Sequence, residues 1–215
     1  CWVLFPRNLI STFLKKFRVG SIENVLLCAE LFAQSEIEKK IYAYLSDFET
    51  ISSSARVEGA LVAIEPRTGL IVTMLGGSTF SSGNQLNRAV QSRRQPGSAF
   101  KAFVYGAGIE SGKITAGTMF LDAPVIFKGG RRDWNPSNYE RTYLGKVLVR
   151  GAFAASLNII SALIYNKVGG YRIANYASRM MNIPIKRFEI DPTLALGTTE
   201  VTPLELTRGF AVFAN

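Results

Sequence analysis

The sequence predicts an α/β fold, an α+β sandwich in which a sheet lies between helical layers. Three observations carry this. Residues 59–64 and 70–75 are apolar runs on either side of Glu65-Pro66-Arg67-Thr68-Gly69, whose Pro and Gly mark the loop of a β-hairpin. Both runs are apolar at nearly every position, as strands buried on both faces are. Residues 98–111 then place Phe100, Phe103, Val104, Ala107 and Gly108 on a slim apolar helix suited to the interior.

The remaining elements follow in order. Residues 35–48 (SEIEKKIYAYLSDF) form an amphipathic helix, with Ile37, Ile41, Tyr44 and Leu45 at helical spacing and a capping box from Ser35 and Glu38. Residues 51–54 are a polar connector. The hairpin comes next, then the buried helix, which Gly112 ends. Residues 113–145 are an irregular excursion rich in Gly, Pro and Asn. Its Trp134 and Tyr139 are either local packing groups or a wall of a substrate cleft. Helices at 147–155 and 159–168 flank Ser156-Leu157-Asn158, and Gly169-Gly170 stops the second. Another helix covers 171–181. Thr202-Pro203-Leu204-Glu205 opens a last one, with a capping box and proline at the first helical position. There are no internal repeats.

A chain of 215 residues is long enough to bury a real core. Its net charge of +9 is unevenly spread. Residues 1–54 hold six Lys/Arg and six Asp/Glu, so the whole excess lies in 55–215. A basic domain suits a solvated surface, anionic lipid headgroups or acidic wall polymers. Arg93-Arg94 and Arg131-Arg132 are isolated pairs, and no basic run is interleaved with aromatics, so no nucleic-acid partner is expected. Cys1 and Cys28 carry no spacing signature and are either a pair or two free thiols. With no histidine and two cysteines, no metal or other cofactor is expected. No stretch reaches the ~20 apolar residues that span a bilayer. Residues 1–14 are apolar but contain Pro6 and Arg7, and they lack the basic start of a signal peptide.

The chemistry concentrates at Ser98-Ala99-Phe100-Lys101. Lys101 follows Ser98 by three residues, so on a helix the two share a face. A serine hydroxyl needs a base beside it to act as a nucleophile. Without histidine a Ser-His-Asp triad is excluded, and Lys101 is left as the activating group. It can serve only if burial or a neighbouring cation disfavours its ammonium. Pro96-Gly97 forces a sharp entry that leaves the first turn accessible. Ser156-Leu157-Asn158 supplies a second element, and S-x-x-K followed by Ser-x-Asn is the order found in penicillin-binding proteins and serine β-lactamases.

Longer stretches extend the match: VEGALVAIEPRTGLIVTMLGG (57–77), NRAVQSRRQPGSAFKAFVYGAGIESG (87–112), DAPVIF (122–127), WNPSNYERTYLGKVLVRGAFAASLNI (134–159) and LALGTTEVTPLELTRGFAVFAN (194–215). In this order they resemble the transpeptidase domain of class A, or bifunctional, penicillin-binding proteins. The resemblance covers most of 57–215. Three departures stand out. Ala102 replaces the proline that many members carry after the lysine. CAELFA (28–33) stands where Thr-Thr-Leu-Asp is usual. The third family motif, Lys-Thr-Gly or Lys-Ser-Gly, does not occur. The resemblance therefore implies a linker region over 1–54 and a transpeptidase domain over 55–215 that is C-terminally incomplete, so that this piece alone lacks activity.

The resemblance further implies a D,D-transpeptidase that joins peptidoglycan stem peptides and is acylated by β-lactams. Ser98 is then the nucleophile and Lys101 its base. Ser156 lies on the proton path to the leaving amine, and Asn158 binds the donor peptide. The oxyanion hole would combine the Ser98 N–H with a second N–H from the strand of the third motif. Implied partners are stem peptides ending in D-Ala-D-Ala, β-lactam antibiotics and cell-wall synthesis proteins. The parent protein would carry a glycosyltransferase and a membrane anchor, with this domain on the extracytoplasmic (periplasmic) side of the bacterial cell membrane. Two other readings use the same residues: a β-lactam sensor or β-lactamase, and a non-catalytic wall-assembly scaffold.

Overall fold

A computed structural model of the chain describes residues 58–77, 81–128 and 133–215. The expected helix at 35–48, the connector at 51–54, the linker region 1–54, both cysteines and Arg131-Arg132 lie outside these residues. The described residues divide into two units, those up to 93 together with 202–215, and those within 94–201.

In the first unit, β1 (Leu61–Ile64) and β2 (Ile71–Leu75) form the expected antiparallel hairpin, with Leu61 opposite Leu75 and Val62 opposite Met74. Its loop closes through Gly69 N–H donating to the Glu65 carbonyl at 2.9 Å and the Thr68 hydroxyl donating to the Glu65 carboxylate at 2.6 Å. The expected burial on both faces is not observed. β1 is half-buried along its length, and in β2 Thr73 and Leu75 are buried while Ile71 is exposed. The reason is the pleat: successive side chains point to opposite faces, so an apolar run buries alternate residues when one face is the better covered. Helix α1 (Arg88–Gln91) packs on β2. It is capped by Asn87, whose side chain accepts from Ala89 N–H at 3.1 Å. Helix α6 (Pro203–Ala214) packs on β1 and starts with the expected capping box. Glu205 N–H donates to Thr202 Oγ1 at 3.2 Å, and Thr202 N–H donates to the Glu205 carboxylate at 2.8 Å.

In the second unit, a 3-10 turn at Gly97–Phe100 runs straight into α2 (Lys101–Glu110). The sequence places Ser98 in the α-helix; here the α-helix begins at Lys101. The Lys101 N–H bonds to the Ser98 carbonyl with three-residue spacing, after Gly97 has turned the chain at φ +58°. Helix α2 is apolar on most sides and is buried accordingly at Phe103, Val104, Ala107 and Gly108. Around it lie α3 (Val149–Ala154), α4 (Asn158–Val168) and α5 (Gly170–Met181). Gly169, at φ +93°, separates α4 from α5 as expected, although Gly170 already opens α5.

Two strands escape the sequence reading. β3 (Met119–Asp122) and β4 (Gly145–Leu148) pair antiparallel, with Met119 opposite Leu148 and Asp122 opposite Gly145. They occupy ground read as irregular chain and as the start of a helix. Four residues are too few for a period to register, and Met119 and Leu121 are exposed although apolar. Their partners are also more than twenty residues apart, so no local turn announces them.

The core of this unit joins Phe100 and Phe103, whose rings lie 5.5 Å apart, with Phe188, Ile159, Ile160, Ile164, Ile173 and Met181. Each such side chain contributes about 1.5–3 kcal/mol on burial. This places α2 and α4 as rigid supports under the Ser98 turn. Two further 3-10 turns, Ile185–Arg187 and Pro192–Leu196, lead the chain back to it.

Candidate active site

Ser98 is exposed and Lys101 is only 1% exposed, although they are three residues apart. In a 3-10 turn, side chains at that spacing eclipse one another on one face. The turn therefore carries an exposed hydroxyl three residues before a buried amine. Among the described residues the Ser98 side chain makes no hydrogen bond.

The Lys101 Nζ meets three oxygens. It donates to the Ser156 carbonyl at 2.5 Å, the Ser156 hydroxyl at 3.0 Å and the Asn158 Oδ1 at 2.6 Å. Three donors thus find three neutral acceptors, which suits the ammonium. Burial acts the other way and pushes the group from an ordinary value near 10.5 down to about 8. The neutral amine has two N–H donors and one lone pair. The carbonyl and the Asn158 oxygen accept only, so they retain the two donors. The lone pair is then free to accept a proton from a hydroxyl, either that of Ser156 or that of Ser98.

Ser156 reaches this position through its backbone. It has φ +53°, in the left-handed region. Ser156 N–H donates to the Phe153 carbonyl and Leu157 N–H to the Ala152 carbonyl, each at 3.0 Å, which closes the end of α3 as a Schellman motif. Glycine is usual at the left-handed position of that motif, and a residue with a Cβ costs roughly 1–2 kcal/mol there. The strain turns both the Ser156 carbonyl and its hydroxyl onto Lys101.

Asn158 opens α4. The residue before it, Leu157, occupies the N-cap position and has no side-chain oxygen to cap the helix. Asn138 replaces that cap from a distant loop. Its Oδ1 accepts from Asn158 N–H at 3.0 Å and Ile159 N–H at 3.3 Å. The Asn158 side-chain amide in turn donates to the Ser137 carbonyl at 2.9 Å. Behind Asn138 sits the Asp122 carboxylate, 1% exposed. It accepts from Asn138 Nδ2 at 2.9 and 3.0 Å and from Leu144 N–H at 2.9 Å.

The structure thus brings Lys101, Ser156 and Asn158 into direct contact, and Ser98 precedes Lys101 on the adjoining 3-10 turn. Sequence reasoning singles out neither Asp122 nor Asn138, although both fall in the quoted stretches 122–127 and 134–159. No local motif marks them, because their meaning lies in contacts across sixteen and twenty residues. Of the two aromatics in the excursion, Trp134 stacks on Phe127 with ring centroids 5.4 Å apart, whereas Tyr139 is 93% exposed.

A family model, the penicillin binding protein transpeptidase domain, matches residues 59–181, more than half of the chain. The chain belongs to the penicillin-binding protein transpeptidase family. It is 37% identical over 179 residues to penicillin-binding protein 1A of Neisseria flavescens, covering 79% of the chain and 21% of that protein. It is 37% identical over 162 residues to penicillin-binding protein 1A of Pseudomonas aeruginosa, covering 74% of the chain and 19% of that protein. The chain therefore spans about a fifth of the length of these curated relatives. Among solved structures, penicillin-binding protein 1A from Haemophilus influenzae superposes with a TM-score of 0.69 at 31% identity, over 74% of the chain and 23% of that protein. PonA1 from Mycobacterium tuberculosis shares the fold at a TM-score of 0.70 and 22% identity, over 97% of the chain and 55% of that structure. The expected class A type of transpeptidase fold is thereby borne out.

Proposed function

We propose that this chain carries the acyl-enzyme machinery of a peptidoglycan D,D-transpeptidase. The observation that supports it most is the buried Lys101 amine, held by Ser156 and Asn158, three residues after the exposed Ser98. Ser98 Oγ attacks the carbonyl between the two terminal D-alanines of a stem peptide and passes its proton to the Lys101 lone pair. The C–O bond forms, the C–N bond breaks, and the proton moves through the Ser156 hydroxyl to the departing D-alanine nitrogen. An amine of a neighbouring stem peptide then attacks the ester, restores Ser98 and leaves a cross-link. A β-lactam enters the same first step, but its amine stays tethered after ring opening. The Ser98 N–H is one oxyanion donor, of a kind whose loss costs about 10²–10³ in rate.

Family membership favours transpeptidation over the sensor, β-lactamase and scaffold readings. The remainder of the protein carries a glycosyltransferase and a membrane anchor, and the domain works on the extracytoplasmic side of the bacterial membrane among other wall-synthesis proteins. Among the described residues no helix is long and apolar enough to cross a membrane. Residues 55–215 form the transpeptidase portion and 1–54 the link that precedes it.

Fluorescent penicillin tests the reading in the full-length protein. Ser98→Ala is expected to abolish covalent labelling on a denaturing gel, and Lys101→Ala to slow it by roughly 100-fold or more. Undiminished labelling of Ser98→Ala would overturn the assignment. Rapid release of the label, with turnover of free drug, would favour a β-lactamase instead.

A further inference from the structure

We propose that Asp122 and Asn138 are positioning residues for the Lys101 base, acting through Asn158. This rests on the Ser98–Lys101 reading above.

Helix α4 begins without a cap of its own and without an acidic residue in its first turn. Its first N–H groups need an acceptor, and their partial positive charge favours a nearby anion. Asn138 Oδ1 is the acceptor and Asp122 is the anion behind it, both buried. Asn138 has no freedom to turn. Its amide donates to both Asp122 oxygens and to the Thr142 carbonyl at 3.0 Å. A carboxylate only accepts, so the amide nitrogen must face Asp122 and the oxygen must face α4. The adjacent Ser137 carbonyl settles Asn158 by the same logic, because it accepts from Nδ2 at 2.9 Å and leaves Oδ1 toward Lys101. Two consecutive residues of one loop thus fix the backbone and the side-chain orientation of Asn158. Asn158 is one of the two acceptors that cannot give a proton back to Lys101, so its placement decides where the lone pair points. A reversed Asn158 amide would set N–H groups against the ammonium and displace it.

The chain of contacts makes a distinctive prediction for Asp122→Asn. The substitution conserves size, but it places an NH2 group where Asn138 already presents one. The oxygen that remains still accepts from Asn138 Nδ2 and Leu144 N–H, so Asn138 loses one of its two anchors on residue 122 and the anion behind it, and its Oδ1 is held less firmly on Asn158 N–H and Ile159 N–H. Asn138→Ala removes the same acceptor directly.

The test measures penicillin acylation of the full-length protein at increasing drug concentration, with the final labelling stoichiometry and the thermal midpoint for each variant. Both variants are expected to reach the parent's stoichiometry while the maximal acylation rate falls 10–100-fold and the half-saturating concentration stays unchanged. Misplacement of a catalytic group by about 1 Å has a cost of that order. A merely structural role predicts fewer labelled molecules, each reacting at the parent's rate, and that result would overturn the proposal. So would a parent-like rate in a folded variant. If Asn138→Ala fails to fold, Asp122→Asn decides alone. Labelling that persists in Ser98→Ala would show that the nucleophile reading had failed, a result distinguishable from any outcome at Asp122 or Asn138.

Discussion

Gly197 is pressed against Gly97, the residue that turns the chain into Ser98. The Gly97 N–H donates to the Gly197 carbonyl at 3.2 Å. A Cβ built on Gly197 would strike the Gly97 carbonyl oxygen and lie 2.8 Å from the Phe100 Cβ. Gly197 also has φ +77°. Gly197→Ala therefore combines a left-handed backbone penalty of about 1–2 kcal/mol with an overpacking cost of similar size. Urea denaturation should show a loss of at least ~2 kcal/mol. Acylation should slow as well, because the Ser98 turn must shift to make room. A variant with unchanged stability would mean that the two backbones are not in contact.

Acylation should rise with pH and level off near pH 8. Burial lowers Lys101 to about 8, and in the proposed mechanism its neutral form is the base, so each pH unit below 8 should cost close to tenfold in rate. Stability moves in the same direction. An unfolded lysine binds its proton up to about 10.5, whereas the folded one releases it near 8. Between these values the unfolded state holds more protons, so raising the pH through this window stabilises the fold. Below 8 both states are protonated and the burial cost is felt in full. A rate that is flat from pH 6 to 9 would exclude Lys101 as the base.

Ser156 should tolerate glycine better than alanine. Ser156→Gly removes the Cβ strain at φ +53° and should exceed Ser156→Ala by about 1 kcal/mol in chemical denaturation. Both variants lose the hydroxyl and keep the carbonyl that holds Lys101. Their defects in acyl transfer should therefore be alike. Equal stability of the two would argue against a left-handed Ser156.

Arg179 is the control. Its guanidinium contacts both Glu110 oxygens at 2.7 and 2.9 Å and lies 5.6 Å from the centre of the Tyr176 ring, yet both charged side chains are more than half exposed. Solvent screens such a pair, so Arg179→Ala should cost no more than ~1 kcal/mol and leave acylation unaffected. A larger loss in thermal denaturation would mean that the pair is far better shielded than its exposure indicates.

Local chemistry is what the sequence determines here. The hairpin at 59–75 is legible because Pro66 and Gly69 interrupt two apolar runs. The capping box at Thr202 and Glu205 is legible because both partners lie within one turn. The proposal that Ser98 pairs with Lys101 is legible from spacing and from the absence of histidine. The tertiary structure decides the rest. That Ser98 rides on a 3-10 turn and that Ser156 is left-handed are backbone details no motif spells out, and that Asp122 and Asn138 stand behind Asn158 depends on contacts between distant segments. The four-residue strands β3 and β4, which carry Asp122 into place, exist through each other, since neither holds a pattern of its own. Spacing along a chain encodes what a single turn brings together. The burial that lowers the Lys101 pKa, and the oxygens that hold its amine, arise only when α2, α4 and the loop bearing Asn138 close around one point.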